Sequence, residues 1–239
     1  MDVKTLIVRA AREYPDNLAL VYKGTRLTFR ELNQKSNRLA HGILALGVRK
    51  GDRVGMFLHN HCEFIEIDFA LSKAGIVRVP LNIRLAPQDH EYMLNDSGAN
   101  TLIFDASFTE TVEKLKPSLK TVKQFIRVSG GSPGPDMADA LAFEDLLNNQ
   151  SVDEPSVEID EEDLHTLFYT SGTTGKPKGA MLTQKSWANV AINLALDYGP
   201  ITRGDVILNT QPLSHGAGFF VLPFFIRGAA NVLIPEVTP

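Results

Sequence analysis

The strongest constraint on the fold is alternation, because short β-branched runs recur along the chain with segments of helical spacing between them. Arg53 to Leu58 reads as a strand, His61 to Ala74 as a helix and Val77 to Pro80 as a strand. Pro87 suits the first turn of a helix through Leu94, and Thr101 to Phe104 follows as another strand. Thr28 and Glu31 have capping-box spacing, so a helix starts there with Leu32, Leu39, Ala40 and Ile43 on its apolar face and Gly47 at its end. Repetition of strand, helix, strand predicts an α/β fold with mostly parallel sheets flanked by helices.

The second half continues the pattern. Gln124 to Val128 is a strand candidate, and the Gly/Ser/Pro stretch from Ser129 to Asp136 is a loop. A short helix near Phe143 to Asn148 leads to residues 151–163, whose clustered acids read as a solvated linker. His165 to Tyr169 is the next strand. Thr183 then caps a helix with Trp187, Val190, Ala191 and Leu194 at helical spacing. Val206 to Thr210 and Asn231 to Ile234 read as further buried strands.

Composition removes several classes of function. A net charge of −4 without a Lys/Arg cluster argues against a nucleic-acid partner. The single Cys62 excludes an internal disulfide or a cysteine metal cluster and reads as a packing residue, in keeping with a cytoplasmic location. Leu6-Ile7-Val8 ends at Arg9, which is no secretory pattern. The longest apolar run, Phe219 to Ile226, contains Pro223 and is too short to span a bilayer, so no transmembrane segment is expected.

The chemistry concentrates in Leu167-Phe168-Tyr169-Thr170-Ser171-Gly172-Thr173-Thr174-Gly175-Lys176-Pro177-Lys178-Gly179. Glycines let backbone N–H groups approach an anion, hydroxyls donate to phosphate oxygens, and lysines bring positive charge. The loop therefore suits a polyphosphate. It is not the P-loop of NTPases, because two residues separate Gly172 from Gly175 and Lys176 is followed by Pro177 instead of Ser or Thr.

This loop closely resembles the phosphate-binding loop of the adenylate-forming superfamily, which includes acyl-CoA synthetases, luciferase and peptide-synthetase adenylation domains. The resemblance extends along the chain through Leu27 to Leu32, Gly51 to Val54, Asn60, Ala74-Gly75, Pro80 to Asn82 and Pro212 to His215. It implies the N-terminal, AMP-binding part of the large domain, over residues 1–239. The implied reaction joins a small-molecule carboxylic acid to ATP, with Mg²⁺, and passes the acyl group to CoA. A luciferase-like or peptide-synthetase acceptor, or a non-catalytic binding fragment, stays open.

By position, Thr170, Ser171, Gly172, Thr173, Thr174, Gly175 and Lys178 match the family's phosphate-holding residues, and Thr170 matches a position that helps ligate Mg²⁺ in some relatives. Lys176 stands at a variable position. His215 and Gly216 match the acyl-pocket segment; without the family, His215 reads as a packed histidine satisfied by backbone groups. Phe219 and Phe220 shape an acyl channel or are plain core. Gln184 departs from the histidine common in relatives.

Family members run to roughly twice this length, beyond an ordinary single domain. The Tyr-Gly-x-Thr-Glu and Thr-Gly-Asp segments, the hinge and the C-terminal lid domain with its lysine are not present before Pro239, where Val237-Thr238-Pro239 also differs from the frequent Phe-Asp-Pro. The expectations are an incomplete active site in the isolated chain, weak nucleotide affinity, and an exposed sheet edge through which it self-associates.

Overall fold

A computed structural model describes residues 1–130, 133–170 and 176–235. The chain opens with helix α1 (Val3–Glu13), whose Asp2 cap accepts from the Thr5 N–H at 2.8 Å. A hairpin follows, β1 (Leu18–Tyr22) and β2 (Thr25–Thr28), running straight into α2 (Phe29–Ala45). The capping box is complete there: the Glu31 N–H donates to Thr28 Oγ1 at 3.2 Å and the Thr28 N–H to Glu31 Oε2 at 2.8 Å. Next come β3 (Arg53–Phe57), α3 (Cys62–Ala74), β4 (Val77–Pro80), α4 (Pro87–Ser97), β5 (Thr101–Asp105), α5 (Thr109–Leu115), β6 (Gln124–Val128) and β7 (Ala140–Ala142). After a 3₁₀ turn at Phe143–Leu147 the chain forms β8 (Leu164–Thr170), β9 (Lys178–Thr183), α6 (Gln184–Asp197), β10 (Val206–Asn209), α7 (Gly218–Phe225) and β11 (Ala230–Leu233).

Among the described residues the strands make two sheets, ordered β10-β11-β1-β2 and β7-β6-β5-β3-β4-β8-β9. The larger sheet is parallel from β7 through to β8, and only the β8/β9 pair runs antiparallel. The chain steps from β3 to β4 on one side and then returns to place β5 on the other. That reversal creates a switch point beside β3, the position where open α/β sheets form ligand crevices at their carboxyl ends.

Helix α3 packs against α1, α2, β1 of the smaller sheet and β4 of the larger one. Its every residue except Glu63 is buried, polar ones included. Buried polar groups need partners, and α3 has them: Lys35 reaches Glu66 at 2.8 Å, Asp68 pairs with Arg78, and Ser72 Oγ lies 2.9 Å from His165 Nε2.

Two expectations need correction. Val206–Asn209 is not a buried strand: β10 is the outer strand of its sheet, with Val206 59% and Leu208 55% exposed. The acidic segment 151–163 lacks regular structure but is not a freely solvated linker, because the body ties it down. Asn37 Nδ2 donates to the Val152 carbonyl at 2.8 Å and Lys4 Nζ to the carbonyls of Pro155 and Val157, both at 2.8 Å. Lys50 pairs with Asp163 at 2.6 Å and Lys185 with Glu161 at 2.8 Å.

The deepest anchor of this strap is Lys73. Its fully buried ammonium donates to Asn33 Oδ1 and Asn37 Oδ1 at 2.6 Å each and meets Glu154 Oε2 at 3.3 Å. Burial pulls the ammonium down, the Glu154 charge works against that, and the pKa settles at about 8. Lys73→Met strands the two amide oxygens and Glu154, an expected loss of about 2 kcal/mol. Glu-specific proteolysis within 154–162 should accelerate in parallel; an unchanged cleavage rate would remove Lys73 from its role as the pin.

Candidate active site at the carboxyl ends of the large sheet

The carboxyl ends of β3, β4, β5 and β8 lie on one edge of the larger sheet, since those strands are mutually parallel. They deliver Asn60, Asn82, Asp105 and Thr170 to that edge. Thr170 is the last residue of β8 and stands opposite Lys178, the first of β9, across the antiparallel ladder. Both are exposed. Ser171, Gly172, Thr173, Thr174 and Gly175 lie outside the described residues, so the loop is seen through this pair at its base. Gly179 faces Tyr169 in the same ladder, and a Cβ at residue 179 would come within 3.0 Å of the tyrosine ring. The Tyr169 hydroxyl in turn donates to Asp96 at 2.7 Å, which ties the hairpin to α4.

The two lysines differ in their surroundings. Lys176 Nζ lies over the Tyr92 ring, 5.4 Å from its centroid. Lys178 begins a strand and is carried on the rigid hairpin next to Thr170.

Residues 211–218 meet the same edge. Asn60, buried just after β3, holds them with both ends of its amide: Nδ2 donates to the Gln211 carbonyl at 2.8 Å and Oδ1 accepts from the Leu213 N–H at 2.9 Å. The turn then doubles back so tightly that a Cβ on Gly218 would stand 2.3 Å from the Leu213 carbonyl oxygen. His215 and Gly216 are exposed, and both border a cavity of about 380 Å³. Asn82 and Arg84 after β4, Ile207 and Leu208 of β10, and Phe220 complete much of its lining. A cavity of this size suits a small molecule. No atom would lie within 4 Å of a Cβ on Gly216, so the glycine leaves the space open.

The His215 ring is stacked on Phe168 with centroids 6.0 Å apart and lines the cavity. Phe219 and Phe220 differ in their surroundings. Phe219 packs between Phe168 and Trp187, at 5.3 and 4.6 Å, whereas Phe220 lines the cavity. Asn82 serves as a turn, its Oδ1 accepting from the Arg84 N–H at 3.1 Å, and it lines the cavity as well. Gln184 is buried and accepts from the Val3 N–H at 3.1 Å, a structural contact with α1.

Sequence reasoning missed a cluster beside this edge. His61, fully buried at the start of α3, has Nε2 2.7 Å from Asp105 Oδ1 and Nδ1 3.0 Å from Glu63 Oε2. Burial alone would push the imidazole down; the contacts with Asp105 and Glu63 outweigh it and hold the pKa at about 9. Asp105 also accepts from the His59 N–H at 2.6 Å. No sequence motif announces this arrangement. The neighbouring Cys62 is buried, and burial pushes its thiol up to about 12, which fits packing and not nucleophilic chemistry.

Among the described residues no group of three or more His, Cys, Asp or Glu side chains could hold a metal ion, and no helix is long and apolar enough to cross a membrane. Thr170 offers a single hydroxyl, which does not by itself make a magnesium site.

Comparison with known proteins shows the family and the fold. The chain is 36% identical to a feruloyl-CoA synthase from an Amycolatopsis species over 234 residues, covering 97% of this chain and 44% of that protein. Thus it spans less than half the length of that relative. The inhibitor-bound N-terminal domain of FACL13 from Mycobacterium tuberculosis superimposes with a TM-score of 0.89 at 30% identity, covering 99% of this chain and 58% of that one. The anthranilate CoA ligase AuaEII, solved with anthranoyl-AMP, gives a TM-score of 0.91 at 26% identity, covering 99% of this chain and 45% of that one. The family pattern described as AMP-binding enzyme matches residues 7–239. A matching pattern over nearly its whole length, together with this two-sheet architecture, places the chain in the AMP-binding, adenylate-forming enzyme family.

Proposed function

We propose that the protein activates a carboxylic acid with ATP and transfers the acyl group to the thiol of CoA. One observation carries this reading: His215 stacks on Phe168, two residues before Thr170, so the cavity and the base of the Gly/Thr/Lys loop share one edge of the sheet. In the first step a carboxylate oxygen attacks the α-phosphorus, the bond to the bridging oxygen breaks, and pyrophosphate leaves. In the second, the thiol sulfur attacks the acyl carbon and AMP leaves as the thiol proton is lost.

An anion must approach a polyanion in the first step, so positioning and charge neutralisation matter more than a protein nucleophile. Thr170, Ser171, Gly172, Thr173, Thr174, Gly175 and Lys178 hold the phosphates in this reading, with Lys178 supplying the charge and Lys176 engaged with Tyr92. His215 and Gly216 border the acyl group. The Thr170 hydroxyl would be a contact for Mg²⁺, which would supply charge neutralisation when bound with the nucleotide.

Relatives are named for feruloyl, hydroxybenzoate and long-chain fatty acyl substrates, so the substrate class is proposed only as a carboxylic acid. Calorimetric titration with ATP tests the phosphate assignment. Lys178→Ala should weaken binding about tenfold, the loss of one charge-assisted contact, and Lys176→Ala by no more than about twofold. An unchanged affinity in Lys178→Ala, or the reverse order, refutes the assignment. Carboxylate-dependent exchange of labelled pyrophosphate into ATP tests the reaction in an enzyme of the relatives' full length, and the 239-residue chain by itself is expected to show little of it.

A further inference from the structure

Asp105, at the end of β5, is fully buried and spends both carboxylate oxygens on one short stretch of chain after β3. Its Oδ2 accepts from the His59 N–H at 2.6 Å, and its Oδ1 lies 2.7 Å from His61 Nε2. These two contacts flank Asn60, whose side chain holds the Gln211 carbonyl and the Leu213 N–H. Ser214 in the same turn buries its hydroxyl with no partner among the described residues, so it adds no tie there. The wall that this turn gives to the His215 cavity is thus anchored on a residue bracketed by the contacts of one buried carboxylate.

Polar groups meet the His61 ring from three elements. Asp105 comes from β5, Glu63 of α3 lies 3.0 Å from Nδ1, and the Tyr22 ring of β1 stands edge-on with centroids 6.5 Å apart. Glu66, one turn along α3, also feels the charge of the ring, and Lys35 of α2 pairs with Glu66 at 2.8 Å. After β6 the backbone closes over Glu63, since a Cβ on Gly130 would collide with its Oε1. An imidazolium enclosed beside two carboxylates holds them more firmly than a neutral ring could. Its charge draws one Asp105 oxygen to residue 61 while the His59 N–H keeps the other.

We propose that His61 is a positioning residue for the His215 cavity: through Asp105 it fixes Asn60, and through Asn60 it fixes the turn at residues 211–218. Loss of the ring's charge frees one oxygen of Asp105, residues 59–61 loosen, and the Asn60 amide loses its aim at Gln211 and Leu213. Buried hydrogen-bonded groups couple in this way because none of them can turn to water instead. The effect is a local opening of one turn, distinct from a loss of stability spread over the whole molecule. That the cavity takes the acyl group rests on the adenylation reading, whereas the linkage from His61 to the turn needs only the fold.

The test is amide hydrogen exchange, followed by NMR on the 239-residue chain without ligand. The Leu213 N–H reports on the turn, and the Glu31 N–H, likewise held by a side-chain oxygen but on α2, is the reference. His61→Gln should speed exchange at Leu213 about tenfold, as one charge-assisted contact is lost, and leave Glu31 within about twofold. Asn60→Ala should speed Leu213 at least as much, and adding His61→Gln to Asn60→Ala should bring no further change. If His61→Gln folds poorly, the native protein decides. Corrected for intrinsic rates, its Leu213 exchange should rise about tenfold between about pH 6.5 and 9.5 as the ring loses its proton, and Glu31 should not follow. Leu213 exchange that tracks Glu31 in the variant or across pH overturns the proposal, as does an added effect of His61→Gln in the Asn60→Ala background. An unchanged ATP affinity in Lys178→Ala would instead refute the adenylation reading and leave this linkage standing.

Discussion

Asp68→Ala is expected to destabilise the protein by about 3–5 kcal/mol, the loss typical when one partner of a buried ion pair is removed. Asp68 projects from α3 to the Arg78 guanidinium on β4, and both are buried. Arg78 Nε also donates to Thr166 Oγ1 on β8 at 2.7 Å, and the guanidinium lies over the Trp187 ring of α6, 4.2 Å from its centroid. Removing Asp68 leaves a cation in the interior that cannot lose its proton. His165, held neutral by burial and by the nearby Arg78, offers it no counter-charge.

The paired change Asp68→Leu with Arg78→Met removes both charges at similar volume and should recover most of the loss. Urea denaturation of the three proteins decides between the outcomes. A single-variant loss below about 1 kcal/mol would show that water reaches Arg78 and replaces the carboxylate. The effect should also reach the candidate site, because Trp187 packs on Phe219, Phe219 on Phe168, and Phe168 on His215.

His61→Gln should produce a loss of similar size that depends on pH. An imidazole held at about 9 against an ordinary 6.5 corresponds to about 3 kcal/mol of stabilisation in its charged form. Because the folded pKa is raised, this contribution is fully present below pH 6.5 and disappears as pH rises through 9. The charged ring sits between Asp105 at the end of β5 and Glu63 on α3, with the Tyr22 ring at its edge. Losing it leaves two carboxylates facing each other across the switch point.

Lys73 works in the opposite sense. Its ammonium is depressed to about 8, so the folded state binds fewer protons than the unfolded chain up to about pH 10.5 and gains stability over that window. The stability of the native protein alone therefore mixes two slopes. The informative quantity is the difference between native and His61→Gln proteins, in which the Lys73 contribution cancels. That gap should be widest near pH 6 and close steadily toward pH 9.5. A gap that stays level across the range would mean that His61 is neutral in the folded state.

Local chemistry explains why much of the fold could be read in advance. The Thr28/Glu31 capping box, Pro87 at the start of α4 and left-handed Gly75 closing α3 each satisfy backbone groups within a few residues. Strands β3, β4, β5 and β6 are short apolar runs buried in the sheet, and their composition marks them. The β1/β2 hairpin escaped because Lys23-Gly24 occupies its turn, both with positive φ, where Asn-Gly or Asp-Gly would have signalled it. Helix α1 carries a local signal as well, with Val3, Leu6, Ile7 and Ala10 at helical spacing.

Chemistry of a different kind limits the rest. The composition of the loop from Thr170 to Gly179 is what proposes a phosphate ligand, because glycine, hydroxyl and lysine act over a few residues. Strand β9 at its end is largely exposed, Met181 included, and is held by pairing with β8. Likewise, β10 has an ordinary strand sequence but lies at a sheet edge, a fact that only the order of strands decides. Asn60 grips residues 151 and 153 positions away, Lys73 pins Glu154, and His61 finds Asp105 44 positions on. These partners meet because the sheet reverses direction beside β3 and α3 is enclosed between layers. The sequence by itself therefore determined most of the elements and suggested the ligand chemistry proposed for the loop. The tertiary structure alone decided which cavity His215 borders, which acids neutralise the buried cations, and where apolar surface stays open, since those depend on contacts across long stretches of chain.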